Sequence, residues 1–515
     1  MNYKKVWGNI MKQNKSIIVG IIVSLVLGLI ATGYIVSQTR CTADGETVCY
    51  DKKTEMFRIE ENAKILIQVE SESLGEYAVK TWNELHPENE GALTYAVSNP
   101  LGIDVLSKEF PYDVMVVKQN DAAYFVDKFL DLGSDMDSIV GSKIPVQLQD
   151  TINLKGYYLV QNSITGSLFA YNETLMKELN FDTKDENKDG LPDVFETWDL
   201  IFKNADKIQE KIDVVFPLTF VDQESFYPFL TGGRWTLNLT KKGSKPGFDS
   251  REFSDGLELI ELFGNVVLDK TVAIEEPKPE EVKPVDQTTK PAEVKEDTKD
   301  TKDTDKPKES ESPSDSDKED VKPKMIVKAE DLKWQYESAF FNRQSLFTII
   351  SDFDLAKEYS ESTGDVYKFA PFPKFDKHHL TPRGEVDGYV GNGETQYPSA
   401  TAEAIRILRT GEAVSIFQKS TGKIPVYHRT NMEDLNIQDV EVLDKIKAYN
   451  FHDTPPVMAL DNNPNRLARS LYTEVDIMEP LRKLFNKEIT RDEAVKQIVQ
   501  LTNDWLKEND TMKEE

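Results

Sequence analysis

The chain has 515 residues, 30% charged and 39% apolar, enough for two or three domains around a sizeable core. Its formal net charge of −28 argues against nucleic acid or an anionic membrane surface as partner and disfavours a strongly anionic solute. Two cysteines are too few for a zinc cluster, and the five histidines (His86, His378, His379, His428, His452) show no HExxH spacing.

Residues Ile17 to Val36 form an uncharged run of about twenty residues rich in Ile, Val and Leu. At ~1.5 Å per residue this spans the ~30 Å hydrocarbon core. No small-residue cleavage pattern follows it, so it reads as an uncleaved transmembrane anchor rather than a signal peptide. Lys4, Lys5, Lys12 and Lys15 precede the run and Arg40 alone follows it closely. The positive-inside bias places residues 1–16 in the cytoplasm and the bulk of the chain outside the cell membrane. Cys41 lies in no lipobox; with Cys49 it is expected to close a small disulfide loop within a stalk over 37–62.

Lys64–Glu70 alternates as a strand, about Gly75–His86 has helical spacing, Tyr112–Lys118 reads as a buried strand and Asp121–Leu132 as a helix. Strand and helix in alternation predict an α/β fold with a mostly parallel sheet. From Glu275 to Lys324 the chain carries 17 acidic residues and 11 lysines with almost no large apolar residue. Such a stretch is expected to be a disordered insertion within a domain, closing at small entropic cost. Beyond it, Ser345–Ser351 reads as an apolar strand, Pro398–Arg409 as an amphipathic helix, and Thr490 to Trp505 as a helix opened by the capping box Thr490 and Glu493. His378–His379 reads as an exposed loop pair.

The twelve residues 185–196 match a calcium loop at every liganding position. Asp185, Asn187, Asp189, Asp193 and Glu196 supply oxygens, Leu191 a backbone carbonyl, and Gly190 the sharp turn. The predicted metal is therefore a structural Ca²⁺. Pro192 occupies the position through which paired loops join and has no N–H to give, so a lone clip between helices about Asn172–Leu179 and Thr197–Lys207 is expected.

Short matches in chain order resemble maltose/maltodextrin-binding proteins, the sugar-binding components of ABC importers. Lys64–Glu70 resembles the first strand of that family, and Tyr112–Val117 followed by Lys118–Asp121 its next strand and ligand-contacting tip. Gly166–Asn172 resembles its crossing strand, Glu196–Asp199 a helix start, and Tyr336–Asn342 a later helix. The resemblance implies a periplasmic-binding-protein-like fold of two lobes, hinged and closing on solute held between them. Lobe 1 would comprise 63–163 and 375–427, lobe 2 would comprise 164–374, and 428–510 would form a C-terminal helical part of lobe 2. Carried over by position, the resemblance implies ligand contacts from Glu72, Ser73, Gln119, Asn120, Asp121 and Thr165. From the second lobe it implies Glu224, Tyr227, Phe353 and Tyr472. The tryptophan of the first-lobe tip and the second-lobe Trp-Tyr pair of maltose binders are missing. The implied role is that of a non-enzymatic binder delivering a carbohydrate, an oligosaccharide of maltodextrin type, to ABC importer permease subunits. The alternatives are a calcium-dependent glycan-binding adhesin of the cell surface or a hydrolase, although no hydrolase motif is found.

Overall fold

The alternation at 64–70 places Ile65, Ile67 and Val69 on the buried side of a strand, and that strand nucleates the larger of two sheets. The computed structural model describes residues 47–149, 156–212, 214–218, 223–235, 239–240, 243–244, 247–267, 336–381, 384–451 and 474–508. The apolar run 17–36, Cys41, the stretch 275–324 and Tyr472 lie outside the described residues. Among the described residues no helix is long and apolar enough to cross a membrane.

The strands are β1 (Tyr50–Asp51), β2 (Met56–Phe57), β3 (Ile65–Val69), β4 (Leu93–Val97), β5 (Val114–Lys118), β6 (Leu159–Gly166), β7 (Leu168–Asn172), β8 (Leu239–Thr240) and β9 (Gly243–Ser244). They continue as β10 (Phe347–Ile350), β11 (Tyr367–Ala370), β12 (Lys374–Phe375), β13 (His378–His379), β14 (Gly384–Gly391) and β15 (Ile424–Pro425). The larger sheet has the order β15-β6-β14-β5-β3-β4, and the smaller has β7 between β10 and β11. Only β4, β3 and β5 pair in parallel; β14 lies antiparallel to β5 and β6, β15 antiparallel to β6, and β7 antiparallel to both its neighbours. The mostly parallel sheet expected from the strand–helix alternation is thus limited to three strands. The reason is connectivity: β6 hands the chain across to the smaller sheet after Gly166, and β14 brings it back in the opposite direction.

Helices Glu72–Leu85, Pro398–Leu408 and Gly411–Thr421 cover one face of the larger sheet, where Trp82, Ile405 and Phe417 are buried. Leu106, Met115, Val117, Phe129 and Leu159 form the core on the other face. The second lobe is built on aromatic rings. Trp198 meets Phe263 at 4.9 Å and Phe216 at 5.3 Å in edge-to-face contacts, the arrangement that aromatic quadrupoles favour. Helices Arg251–Val267, Met478–Phe485 and Arg491–Glu508 close that core. The capping box forms as read: Thr490 N–H donates to Glu493 Oε2 at 2.8 Å and Glu493 N–H donates to Thr490 Oγ1 at 3.3 Å.

Several boundaries move. The helix expected over 121–132 is broken into Gln119–Ala122 and a 3₁₀ segment Ala123–Lys128, with Phe125 in a non-helical conformation. The hairpin β12–β13 packs on the second lobe, and the return to the larger sheet begins at Gly384 rather than at 375. Helix Val440–Ala448 packs on both β11 and β15, so it bridges the sheets instead of belonging to lobe 2 alone. His379 is 7% exposed and donates from Nδ1 to the Phe372 carbonyl at 2.7 Å, so the histidine pair is not an open loop.

The expected stalk is largely folded. Residues 49–62 form a strap against helix Pro398–Leu408. Cys49 is disulfide-bonded, and the chain's one other cysteine is Cys41. Cys49 N–H donates to Ser399 Oγ at 2.9 Å, and Glu60 accepts from the Ser399 and Ala400 amides at 2.6 and 2.9 Å. A carboxylate there satisfies amides that have no partner within the helix and sits at the positive end of its dipole. Deeper in, the fully buried Glu403 accepts from Phe57 N–H, Arg406 and His86, at 3.2, 2.8 and 3.1 Å. Burial pushes the Glu403 carboxyl up, but the bonds from Arg406 and His86 outweigh it and hold the group below the usual range. Its contribution to stability is therefore full above the unfolded carboxylate value of about 4.3 and is lost as pH falls through the lower folded value. Glu403→Ala strands Arg406 and His86 in the core and is expected to cost about 3–5 kcal/mol in urea unfolding. Glu60→Ala is expected to cost about 1 kcal/mol.

Candidate functional site

Because β3, β5 and β6 all run the same way, their carboxyl ends lie along one edge of the larger sheet, the edge at which the chain crosses to the second lobe. Ligands of open α/β sheets bind beyond such ends. Register places Glu70 just after β3, Gln119 just after β5, Thr165 near the end of β6, Asp387 opposite both Lys118 and Ser163, and Lys423 one residue before β15.

Of the first-lobe residues expected at the site, Gln119 is 2% exposed, and Thr165 is exposed and pairs with Glu385. Asn120 shares the Gln119–Ala122 turn, and its side chain is outside the described residues. Asp121 Oδ2 accepts from the Ile103 amide at 3.2 Å, capping the turn Ile103–Leu106. Glu72 opens helix Glu72–Leu85, but its Oε1 accepts from Tyr95 of the edge strand β4 at 2.6 Å, pushing that phenol up to about 12. Gly75 permits this: a Cβ there would stand 2.3 Å from the Tyr95 ring. Ser73 is exposed on the same helix.

The second-lobe expectations fare differently. Tyr227 is fully buried against Trp235 with ring centroids 5.9 Å apart, so it is a core residue with no face open to a solute. Glu224 is in the same helix, and its side chain, like Tyr472, is outside the described residues. Phe353 is half-buried, edge-on to Phe369 at 5.1 Å, and the Lys445 ammonium stands 4.2 Å from its ring centroid. A cation already covers that ring. A cavity of about 300 Å³ opens between helix Phe353–Thr363, β11 and helix Val440–Ala448, but none of the residues gathered at the edge of the larger sheet lines it.

The sequence reading missed the charged group at that edge. Lys423 bonds to Glu70 and, at 3.0 Å, to Asp387. Glu70 and Lys423 are 353 residues apart in the chain, and no local pattern announces their meeting. The one signal is Gly422, whose positive φ of 71° ends helix Gly411–Thr421 and turns Lys423 onto the sheet. Burial pushes the Glu70 carboxyl up, Lys423 opposes that, and Asp387 adds to it. Asp387→Asn is therefore expected to lower the Glu70 titration midpoint and Lys423→Met to raise it further. Carboxyl-carbon NMR of Glu70 reads both, and shifts of the same sign in the two variants would refute the arrangement.

The loop 185–196 lies against the smaller sheet, with Tyr171 of β7 donating to the Gly190 carbonyl at 3.3 Å. Gly190 has φ +99°, as the sharp turn requires. Several of its oxygens serve the loop itself: Asp185 Oδ2 accepts from Gly190 N–H at 2.9 Å, Asn187 Oδ1 from Asp189 N–H at 2.9 Å, and Asp189 Oδ1 from Leu191 N–H at 2.8 Å. Asp193 Oδ1 accepts from Glu186 N–H at 3.0 Å, and Glu196 Oε1 accepts from Asn187 Nδ2 at 3.0 Å. Among the described residues no three His, Cys, Asp or Glu side chains are gathered to hold an ion as they stand. The donor set nonetheless fits a hard cation. Asp185 Oδ1 is buried with no hydrogen-bond partner, and Asp189 is 3% exposed, its carboxyl pushed up by burial.

No family model and no curated protein matches the sequence. Solved structures do match in fold. A cyclo/maltodextrin-binding protein complexed with maltotetraose aligns over 86% of this chain and 97% of its own, at 14% identity and a TM-score of 0.54. A cyclic α-maltosyl-1,6-maltose binding protein from Arthrobacter globiformis aligns over 87% and 99%, at 12% identity and 0.55. An extracellular solute-binding protein from Staphylococcus aureus in complex with maltose aligns over 86% and 98%, at 10% identity and 0.52. At these identities the likeness is one of fold, and the chain has the two-lobed α/β architecture of the maltose- and maltodextrin-binding solute-binding proteins.

Proposed function

We propose that this chain is a membrane-anchored, extracellular solute-binding protein that captures a carbohydrate, an oligosaccharide of maltodextrin type, and delivers it unaltered to an ABC importer. The observation that carries the reading is nearly full-length fold likeness to proteins described as binding maltotetraose, cyclic α-maltosyl-1,6-maltose and maltose. The site favours the same chemistry. Thr165 and the Glu70–Lys423–Asp387 group offer a hydroxyl, carboxylate oxygens and an ammonium at the crossing edge. Sugar hydroxyls are recognised by such mixed donors and acceptors. The uncharged run 17–36 and the lysines before it support the anchor and its orientation.

Full-length protein is expected to melt higher with maltotetraose or maltose and to return the sugar chemically unchanged, checked by thermal shift and by chromatography of the added sugar. Thr165→Val is expected to weaken that binding by about tenfold. A sugar recovered as shorter products would refute the reading.

We further propose that Asp185, Asn187, Asp189, Leu191, Asp193 and Glu196 hold a structural calcium ion. The support is the complete loop pattern together with the orphaned Asp185 oxygen. Calcium at about a hundred times its dissociation constant is expected to add about 2.7 kcal/mol to the unfolding free energy. Asp189→Asn is expected to abolish the gain.

A further inference from the structure

The hairpin β12–β13 reaches the calcium loop from a distant part of the chain, and it reaches the position that closes such loops. In loops of this kind the twelfth residue supplies a bidentate carboxylate. Here that residue is Glu196, and its Oε1 carries the ammonium of Lys374. The hold is reinforced by the backbone: Lys374 N–H donates to the Glu196 carbonyl at 2.8 Å, and Lys374 bridges Thr197 in parallel register. At the other end of the hairpin, His379 Nε2 stands 3.8 Å from Asp189 Oδ2. Lys374 and Glu196 are only 26% and 27% exposed, so their attraction is less screened than that of a surface pair.

We infer that Lys374 is a tethered counter-cation of the loop, occupying the Glu196 carboxylate in competition with a divalent ion. The inference rests on the calcium reading above and deepens it. Two cations cannot both take the same carboxylate at full strength, because each would pay the other's repulsion across a few ångströms. Calcium at Glu196 therefore displaces the Lys374 side chain, and Lys374 sets how tightly calcium is held. The consequence for the fold follows from position: β13 is followed within a few residues by Gly384, where β14 re-enters the larger sheet beside Gly166. Exchange of one cation for the other thus acts on the segment that returns the chain from the second lobe to the first.

The test is calorimetric titration of calcium chloride into the full-length chain and into Lys374→Met, Lys374→Gln and Lys374→Arg. Calcium is expected to bind about tenfold tighter to the Met and Gln variants, while Arg, which keeps the charge, stays within about twofold of the natural chain. Binding detected only in the Met and Gln variants supports the inference equally. Dissociation constants that agree across all four chains overturn it and leave the calcium reading intact. No binding by any of the four overturns both.

Discussion

The antiparallel pairing of β6 with β14 is the contact on which the two-lobed arrangement depends. One strand carries the chain out of the larger sheet and the other brings it back, and their register sets Gly166 opposite Gly384 at the crossing. A Cβ at Gly384 would stand 3.0 Å from the Thr165 carbonyl, so the strands approach more closely there than side chains comfortably allow. The exit and the re-entry are tied together there, and helix Val440–Ala448, packed on β11 and β15, adds a second bridge between the sheets. The same pairing lines up the ends of β3, β5 and β6 toward the second lobe, at the edge proposed to receive a solute.

Charge is distributed in keeping with this plan. The body is strongly acidic, yet the buried acids are each met by specific partners: Glu403 by Arg406 and His86, Glu70 by Lys423, Asp189 by the loop amides. Burying a carboxylate is unfavourable unless its hydrogen bonds and counter-charges are supplied. At Glu403 they fasten the N-terminal strap to the first lobe. At Glu70 they assemble a polar group where the strands end. The strap over residues 49–62 is therefore fastened to the first lobe.

The fold was legible in the chain wherever a local rule governed it. Alternation at 64–70 and the capping box at Thr490 and Glu493 appear as read, and the helices expected from about Asn172 and Thr197 start there, since each depends on residues within one turn or one strand. The site was legible only in part. Gln119 and Thr165 lie at the strand-end edge because a position after or within a strand is itself local information. For Tyr227 and Phe353 the sequence leaves the role open, because an aromatic side chain satisfies a core and a stacking platform equally well. The Trp235 ring and the Lys445 ammonium, both from other elements, are what decide between the two.

By itself the sequence determined the elements, the apolar run near the start, the spacing of the calcium loop, and the order in which strands and helices succeed one another. Periodicity, capping and turn geometry are short-range, so they are written in neighbouring residues. Tertiary structure alone decided that β6 and β14 run antiparallel, that residues 49–62 are a strap rather than a stalk, that Lys423 joins Glu70, and that Lys374 sits on Glu196. These contacts link positions more than a hundred residues apart. They form because desolvated carboxylates and unsatisfied helix amides must find partners wherever the packed chain brings them.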